Sequence, residues 1–403
     1  MDKIGVFYGG IPQKLAKVLD DAVKNSLFVR CVAFAPDGQW ICLTNNGWWT
    51  SNGDMPASKL IDANVKRGLS PTWVAFLPDP GSGPCWLEAK PSQTVVATLD
   101  TEIAHPDANV YEWYLYAPQV PNLPNQQAVN TTFVPKEIVV REEGRLKQPV
   151  FLTRITDGRR EVRTVLTIEA TLMSRRLRAL APGQKAPNVP DLSAESFKAQ
   201  TCPTVTLDFT SKPFREWMAK ADLRRQRGES GMTFARRAFA YIKHHFRYQW
   251  PTPSHTAAQT CASGKSDCGG LSSVFAATMR ANGIPARLLA GRWAESQKPG
   301  DKTGDYGQWH VKSEFFAHGV GWVPVDTSGA VGDAGGSDFA WFGNDPGDFI
   351  AMAGGQDFLL DSFVSGKQNT PVFQGIAYWW RGSGPDRNNR YTELWTVRKQ
   401  KGR

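Results

Sequence analysis

The stretch from Gly264 to Arg287, GKSDCGGLSSVFAATMRANGIPAR, constrains the fold more than any other part of the chain. Leu271, Val274, Phe275, Thr278 and Met279 fall on one helical face, Ser266 or Asp267 can cap the start, and Asn282-Gly283 followed by Pro285 ends it. This pattern predicts a core helix with Cys268 in its first turn. Unpaired N–H groups and the positive end of the helix dipole stabilise a thiolate there, so the thiol pKa is expected to be lowered. Gly269 and Gly270 put no side chain beside the sulfur, which leaves room for an extended substrate backbone.

A second informative stretch runs from Gln308 to Thr327. An extended segment, QWHVKSEFFA, is followed by His318-Gly319-Val320-Gly321 and then WVPVDT, which reads as a hairpin. With its centre near His318, His310 and Asp326 lie at equal distances to either side and face each other across the ladder, with Cβ atoms about 4.5 to 5.5 Å apart. Asp326 is then able to orient the His310 ring. Acyl transfer needs these roles: an imidazole takes the thiol proton and later gives it to the leaving amine, while a carboxylate fixes its tautomer.

The GKSDCGG segment, its helix ending in NGIPARLLAG, the QWHVKSEFF strand and the GWVPVDTS strand together resemble the transglutaminase-like superfamily, over roughly residues 233 to 350. The order is Cys, His 42 residues on, then Asp 16 further, which differs from papain-type proteases, whose His lies much farther downstream. The resemblance implies Cys268 as nucleophile, His310 as base and Asp326 as orienting acid. It also implies an aromatic or polar donor upstream of the cysteine to help hold the oxyanion. Tyr248, Trp250 and Gln259 are the candidates, Tyr248 first among them.

Taken singly, a cysteine at a helix start is more often inert and a histidine on a strand more often structural; it is their combination with Asp326 and the DCGG context that points to catalysis. His244 and His245 sit on different helical faces, and with His255, Cys261 and His318 they show no zinc spacing, so no metal is expected. Asp345 and Asp348 read as a turn, without an EF-hand pattern. A GxSxG elbow, a P-loop and a dinucleotide fingerprint are all absent from the sequence, and no cofactor is implied.

The length of 403 residues suggests several compact units. Residues 1 to 125 are read as repeat units of about 42 residues: Lys17-Val18-Leu19-Asp20 recurs as Lys59-Leu60-Ile61-Asp62, Val32-Ala33-Phe34 as Val74-Ala75-Phe76, and Pro36-Asp37 as Pro78-Asp79. Each copy reads as helix, strand, turn and strand, with the tryptophans at 40, 48, 49, 73 and 86 packed in cores in preference to forming a binding platform. Cys31 and Cys42 flank Pro36-Asp37-Gly38 equally, which would set them opposite in a hairpin and within reach of a disulfide. Prolines at 118, 121 and 124 suggest a linker. Extended segments, Glu137–Arg141, Val150–Ile155, Glu161–Ala170 and Thr204–Phe209 among them, suggest a β-sandwich-like domain over 130 to 225. Helical spacing of Phe234, Ala238, Phe239, Ile242 and Phe246 opens the catalytic unit, 226 to 403 with C-terminal strands.

Lys and Arg exceed Asp and Glu by nine, which favours acidic partners such as an anionic cell-wall or protein surface. The basic residues form short groups (Arg175, Arg176, Arg178; Arg224, Arg225, Arg227; Arg236, Arg237) without aromatic platforms, so a solvated basic face is expected and no nucleic-acid module. No run of eighteen apolar residues and no export signal is found, the latter being weak evidence about export. The expected fold is α+β: a transglutaminase-like (papain-like) core preceded by a β-sandwich-like domain and N-terminal α/β repeats. The expected function is a cysteine-dependent amide hydrolase or acyltransferase acting on protein or peptide substrates through a thioester. The rival is a binding protein with a retired site that uses the tryptophan-rich repeats. Hydrolysis is favoured over transamidation, because water defeats dilute amines unless the site excludes it; Trp309, Trp293 and Trp322 offer a channel for a lysine stem, but strand alternation turns Trp309 away from His310 and into the core.

Overall fold

The computed structural model describes residues 13–34, 40–45, 49–51, 58, 61–62, 65–67, 84–135, 138–143, 147–181, 183–252, 254–298, 308–333 and 335–400. Contacts divide the chain into one unit before Cys85 and a second from Cys85 to the end.

In the first unit the helix Gln13–Lys24 precedes three antiparallel strands, β1 (Val29–Phe34), β2 (Trp40–Thr44) and β3 (Trp49–Ser51). Leu15 and Leu19, one turn apart on the helix, pack with buried Trp40 and Cys42. The second copy of the expected repeat lies for the most part outside the described residues. Cys31 and Cys42 do not face each other across the hairpin, and both pack as apolar side chains, the reading favoured over an oxidised pair. Val32 pairs with Cys42 and Cys31 with Leu43, one residue off the expected register, so the two thiols point to opposite faces. Cys42 joins Leu15 and Trp40, while Cys31 packs with Ile41 and Leu43.

The second unit opens with β4 (Cys85–Ala104), β5 (Asn109–Pro118), β6 (Gln126–Val134), β7 (Ile138–Glu143), β8 (Gln148–Ile155) and β9 (Glu161–Ala179). The C-terminal part of the unit adds β15 (Asn344–Asp345), β17 (Phe358–Asp361), β18 (Lys367–Thr370), β19 (Ala377–Ser383) and β20 (Arg390–Gln400). One sheet runs β15-β9-β4-β20 with β6 also on β9, and another runs β19-β5-β8-β7. Val95, Ala97, Leu99 and Ile103 alternate inward on β4 and meet Trp113, Leu115 and Ala117 of β5, with Trp395 of β20 closing the shared core. β20 pairs with β4 from Arg390↔Ala104 to Gln400↔Thr94 and β19 with β5, so these C-terminal strands belong to the two sheets, while β17 and β18 pair with each other; residues 85–403 stay undivided.

Two expectations change here. The proline stretch 118–127 is not a free linker but the connection from β5 to β6. Gln126, buried, donates to Pro121 O and Ala351 O and accepts from Ala351 N, each at 2.8 Å. Thr204–Phe209 is a run of turns, not a strand: Thr206 N and Oγ1 donate to the Asp357 carboxylate at 2.9 and 2.7 Å, so its polar groups find side chains instead of a ladder.

His310 lies in a four-stranded antiparallel sheet, β14-β13-β12-β16, built from β12 (Ala286–Trp293), β13 (Trp309–Ala317), β14 (Gly321–Val325) and β16 (Phe349–Ala353). The helix Cys268–Ala281 packs on it, with Phe275 meeting Phe315 edge-on at 6.1 Å. The helix Gly231–His245 adds Phe234, Ala238, Phe239 and Ile242 to the same core. Burial of each such side chain contributes about 1.5–3 kcal/mol. None of the described helices is long and apolar enough to cross a membrane.

The division at Cys85 gives a testable expectation. A fragment from Cys85 to Arg403 should fold and keep the turnover of the whole chain on a small amide, since no described residue before 85 lines the cavity at Cys268. A fragment cut at about 130 loses β4 and β5 and should fail to fold. A folded but inactive 85–403 fragment would show that the first unit completes the site.

Candidate active site

Asp267 is the N-cap of the Cys268 helix, and its Oδ1 accepts from Gly270 N at 3.1 Å. At the other end Gly283 takes φ +71° and Ile284 N donates to Met279 O at 3.0 Å, as Asn282-Gly283 predicts. The two glycines after Cys268 differ. Gly269 lines the cavity, but a Cβ on Gly270 would lie 2.1 Å from Ser266 Oγ, so that glycine serves close packing and not substrate access.

Burial first, then the Asp267 carboxylate, pushes the Cys268 thiol up to about 12, against the pull of the Val311 and Gly269 backbone N–H groups. The lowered value expected from the helix start alone is therefore reversed, because burial and two carboxylates, Asp267 and Asp326, outweigh a partial dipole charge. A thiol raised in this way reacts as a nucleophile only where a neighbouring base takes its proton. Alkylation of Cys268 by iodoacetamide should climb with pH through the neutral range, as expected for an acid whose pKa is raised. A rate already high and flat at pH 6 would show a preformed thiolate.

His310 sits at the start of β13, opposite Gly291 of β12. Its Nε2 lies 2.7 Å from Asp326 Oδ2. Burial alone would raise the Asp326 pKa, but the His310 imidazole and the Lys312 ammonium hold it well below the usual carboxylate range. An ionised carboxylate only accepts, so Nε2 carries the hydrogen and Nδ1 is left to receive a proton. The other Asp326 oxygen accepts from Ser328 Oγ at 2.9 Å and Gly329 N at 2.8 Å, capping the helix Thr327–Gly332. The His310 ring stacks on Trp293, centroids 4.4 Å apart, and meets Phe349 edge-on.

The hairpin register is Ser313↔Val325 through Ala317↔Gly321, two residues off an exact facing of 310 and 326. The pair still meets, because a two-residue offset keeps both on one face and Asp326 lies just past the end of β14. Cys268 reaches the same strand through Val311. The Val311 N–H supports the sulfur, and Ser272 Oγ donates to Val311 O at 3.0 Å, which ties the helix to the residue after His310.

Beside Cys268 opens a cavity of about 480 Å³ lined by Tyr248, Trp250, His255 and Trp309 and by residues of the segment 370–377. Tyr248 arrives through the pairing Tyr248↔Ser266, and burial, then the Cys268 and Asp267 charges, push its phenol up to about 12, so it stays a donor. Trp250 also faces the cavity. Gln259 does not line it; its amide oxygen accepts from Thr256 Oγ1 at 3.1 Å. The three tryptophans do not converge: Trp309 lines the cavity and donates to Glu393 Oε1 at 2.9 Å, Trp293 underlies His310, and Trp322 carries the Arg287 guanidinium at 4.1 Å. Trp309 is thus in the cavity wall and not in the core.

Two features escaped the sequence. His255, weighed only as a zinc ligand, donates from Nδ1 to Asp267 Oδ1 at 2.9 Å and lines the cavity beside Cys268; its pKa is raised chiefly by that hydrogen bond. The segment 370–377 and Tyr391 carry no motif, and only their pairing with distant strands brings them here. Among the described residues no group of three or more His, Cys, Asp or Glu side chains is placed to hold a metal ion.

Comparison with solved structures finds similarity to a "putative cysteine protease" from Cytophaga hutchinsonii, 13% identical, covering 77% of this chain and 100% of that one at a TM-score of 0.44. The periplasmic domain of TgpA from Pseudomonas aeruginosa bound to ethylmercury is 12% identical, covering 60% of this chain and 91% of that one at 0.31. No curated protein matches. Residues 220–327, which contain Cys268, His310 and Asp326, match the model of the transglutaminase-like superfamily, and this part of the chain carries a transglutaminase-like α+β fold.

Proposed function

We propose that the protein is a cysteine-dependent amide hydrolase acting on carboxamide or peptide bonds of proteins or peptides, with Cys268 as nucleophile, His310 as base and Asp326 as its orienting acid. The observation that carries this reading is the direct Asp326–His310 contact on a strand whose next residue, Val311, supports the Cys268 sulfur. His310 Nδ1 takes the thiol proton as Sγ bonds to the carbonyl carbon, and the displaced π electrons move onto oxygen. The Cys268 N–H and the Tyr248 hydroxyl are the donors assigned to that oxygen. Collapse breaks the C–N bond, the amine leaves with the proton from His310, and a thioester remains. Water, deprotonated by His310, then hydrolyses it and restores the thiol.

Hydrolysis is preferred over transfer because the tryptophans that would guide a lysine stem are dispersed. The test supplies a glutamine-bearing peptide and a millimolar primary amine, then compares release of free acid with amide exchange by mass spectrometry. Free acid should predominate. Predominant amine incorporation would make the protein a transferase, and absence of either product would support the retired-site reading.

A further inference from the structure

The far wall of the Cys268 cavity lies beyond residue 327, where the family match ends. Val372, Phe373, Ile376 and Tyr391 form it, facing Trp250 and Trp309. The wall is pre-formed. Arg292, only 1% exposed, donates from Nε to Gln374 O at 3.0 Å and from Nη2 to Glu393 Oε2 at 2.9 Å. The same carboxylate accepts from Tyr391 hydroxyl at 3.1 Å and from Trp309 Nε1 at 2.9 Å. One buried ion pair thus fixes both sides of the cavity. Apart from Cys268 and the hydroxyls of Tyr248 and Tyr391, the ionisable side chains in the lining are His255 and Asp267; they are bonded to each other and stand on the Cys268 side.

A volume of about 480 Å³ falls within the roughly 300–1,000 Å³ of small-ligand pockets, whose apolar linings select by desolvation. Placing a carboxylate against Val372, Phe373 and Ile376 would strip its water and offer no partner. We propose that this C-terminal wall forms the specificity subsite, and that the substrate carries a bulky apolar side chain, aromatic or branched aliphatic, beside the amide that Cys268 attacks. This rests on the hydrolase reading above and adds the substrate class to it.

The test uses the full chain and a peptide series varying only the residue beside the scissile amide: Phe, Leu, Ala, Glu and Lys. The Phe and Leu peptides should exceed the Glu peptide in kcat/KM by roughly 10–200-fold, the range a hydrophobic pocket gives. Val372→Asp, on a half-buried loop position, should remove that preference and favour Lys. Val372→Ala, a milder change should the aspartate fail to fold, should raise the rate on the Phe peptide relative to Leu. In parallel, Cys268→Ala protein is titrated with the same peptides while tryptophan fluorescence is followed, since Trp250 and Trp309 line the cavity. Turnover without preference overturns the subsite and leaves the hydrolase. Preferential binding of Phe without turnover of any peptide overturns the hydrolase and keeps the subsite. Neither turnover nor preferential binding overturns both.

Discussion

Cys268→Ala is expected to lower kcat by roughly 10⁴-fold or more while moving the urea midpoint little. The sulfur is the only atom that forms the covalent bond, and Cys261 cannot replace it, because it is buried and does not line the cavity. The structural cost is small: the helix start is fixed by Asp267 and by the packing of Leu271, Val274 and Phe275, none of which needs the thiol. His310→Ala should fall as far, since it removes the base assigned to the thiol proton. Asp326→Asn should fall somewhat less, because asparagine keeps the shape and can still cap Gly329, but holds the ring less firmly in the Nε2–H tautomer. The informative comparison is the double variant. Cys268→Ala with His310→Ala should be no slower than either single variant, as for groups that act together. Losses that multiply would mean that the two residues act independently, and full activity in Cys268→Ala would remove the mechanism.

What the sequence disclosed was whatever rests on neighbours a few residues apart. The Cys268 helix, its Asp267 cap and its Gly283 stop are such features. The His310–Asp326 contact was reachable because strand parity survives a two-residue error in register. The turn His318-Gly319-Val320 is centred one residue later than the composition suggested, with Gly319 at φ +73°. Cys31 and Cys42 show the opposite case, where an error of one residue reverses the face. The rest depended on long-range pairing. Nothing local announces that β20 returns to β4, that Gln126 is fastened to Ala351, or that Tyr391 and Val372 wall the cavity. The thiol pKa was misjudged for the same reason: the dipole is a local property, and burial is a property of the whole fold.

Arg175 shows what such long-range pairing does for stability. From sequence it joined a solvated basic face, yet it is 1% exposed, ion-paired with Glu314 of β13 and with Asp345 at 2.8 Å. Glu314 also holds Arg287 at 2.8 Å, and Asp345 holds Lys312 at 3.5 Å. Two of these residues, Lys312 and Glu314, stand on β13, the strand that carries His310. Arg175→Ala leaves two buried carboxylates with one counter-charge each, and breaking such a pair costs about 3–5 kcal/mol; the remaining Arg287 and Lys312 place the expectation at about 3 kcal/mol. Burial would raise the Asp345 pKa, but Lys312 and Arg175 lower it. A depressed carboxylate contributes stability that is present above its unfolded pKa, about 3.9, and lost as pH falls through the folded value. Removing Arg175 lessens the depression, so the deficit should be full at pH 7 and shrink once both proteins become protonated in acid. Urea unfolding of both proteins at pH 7 and at pH 3 measures this. A deficit below about 1 kcal/mol at pH 7, the size of a surface pair, would mean that the network can be opened without harm to the strand that carries His310.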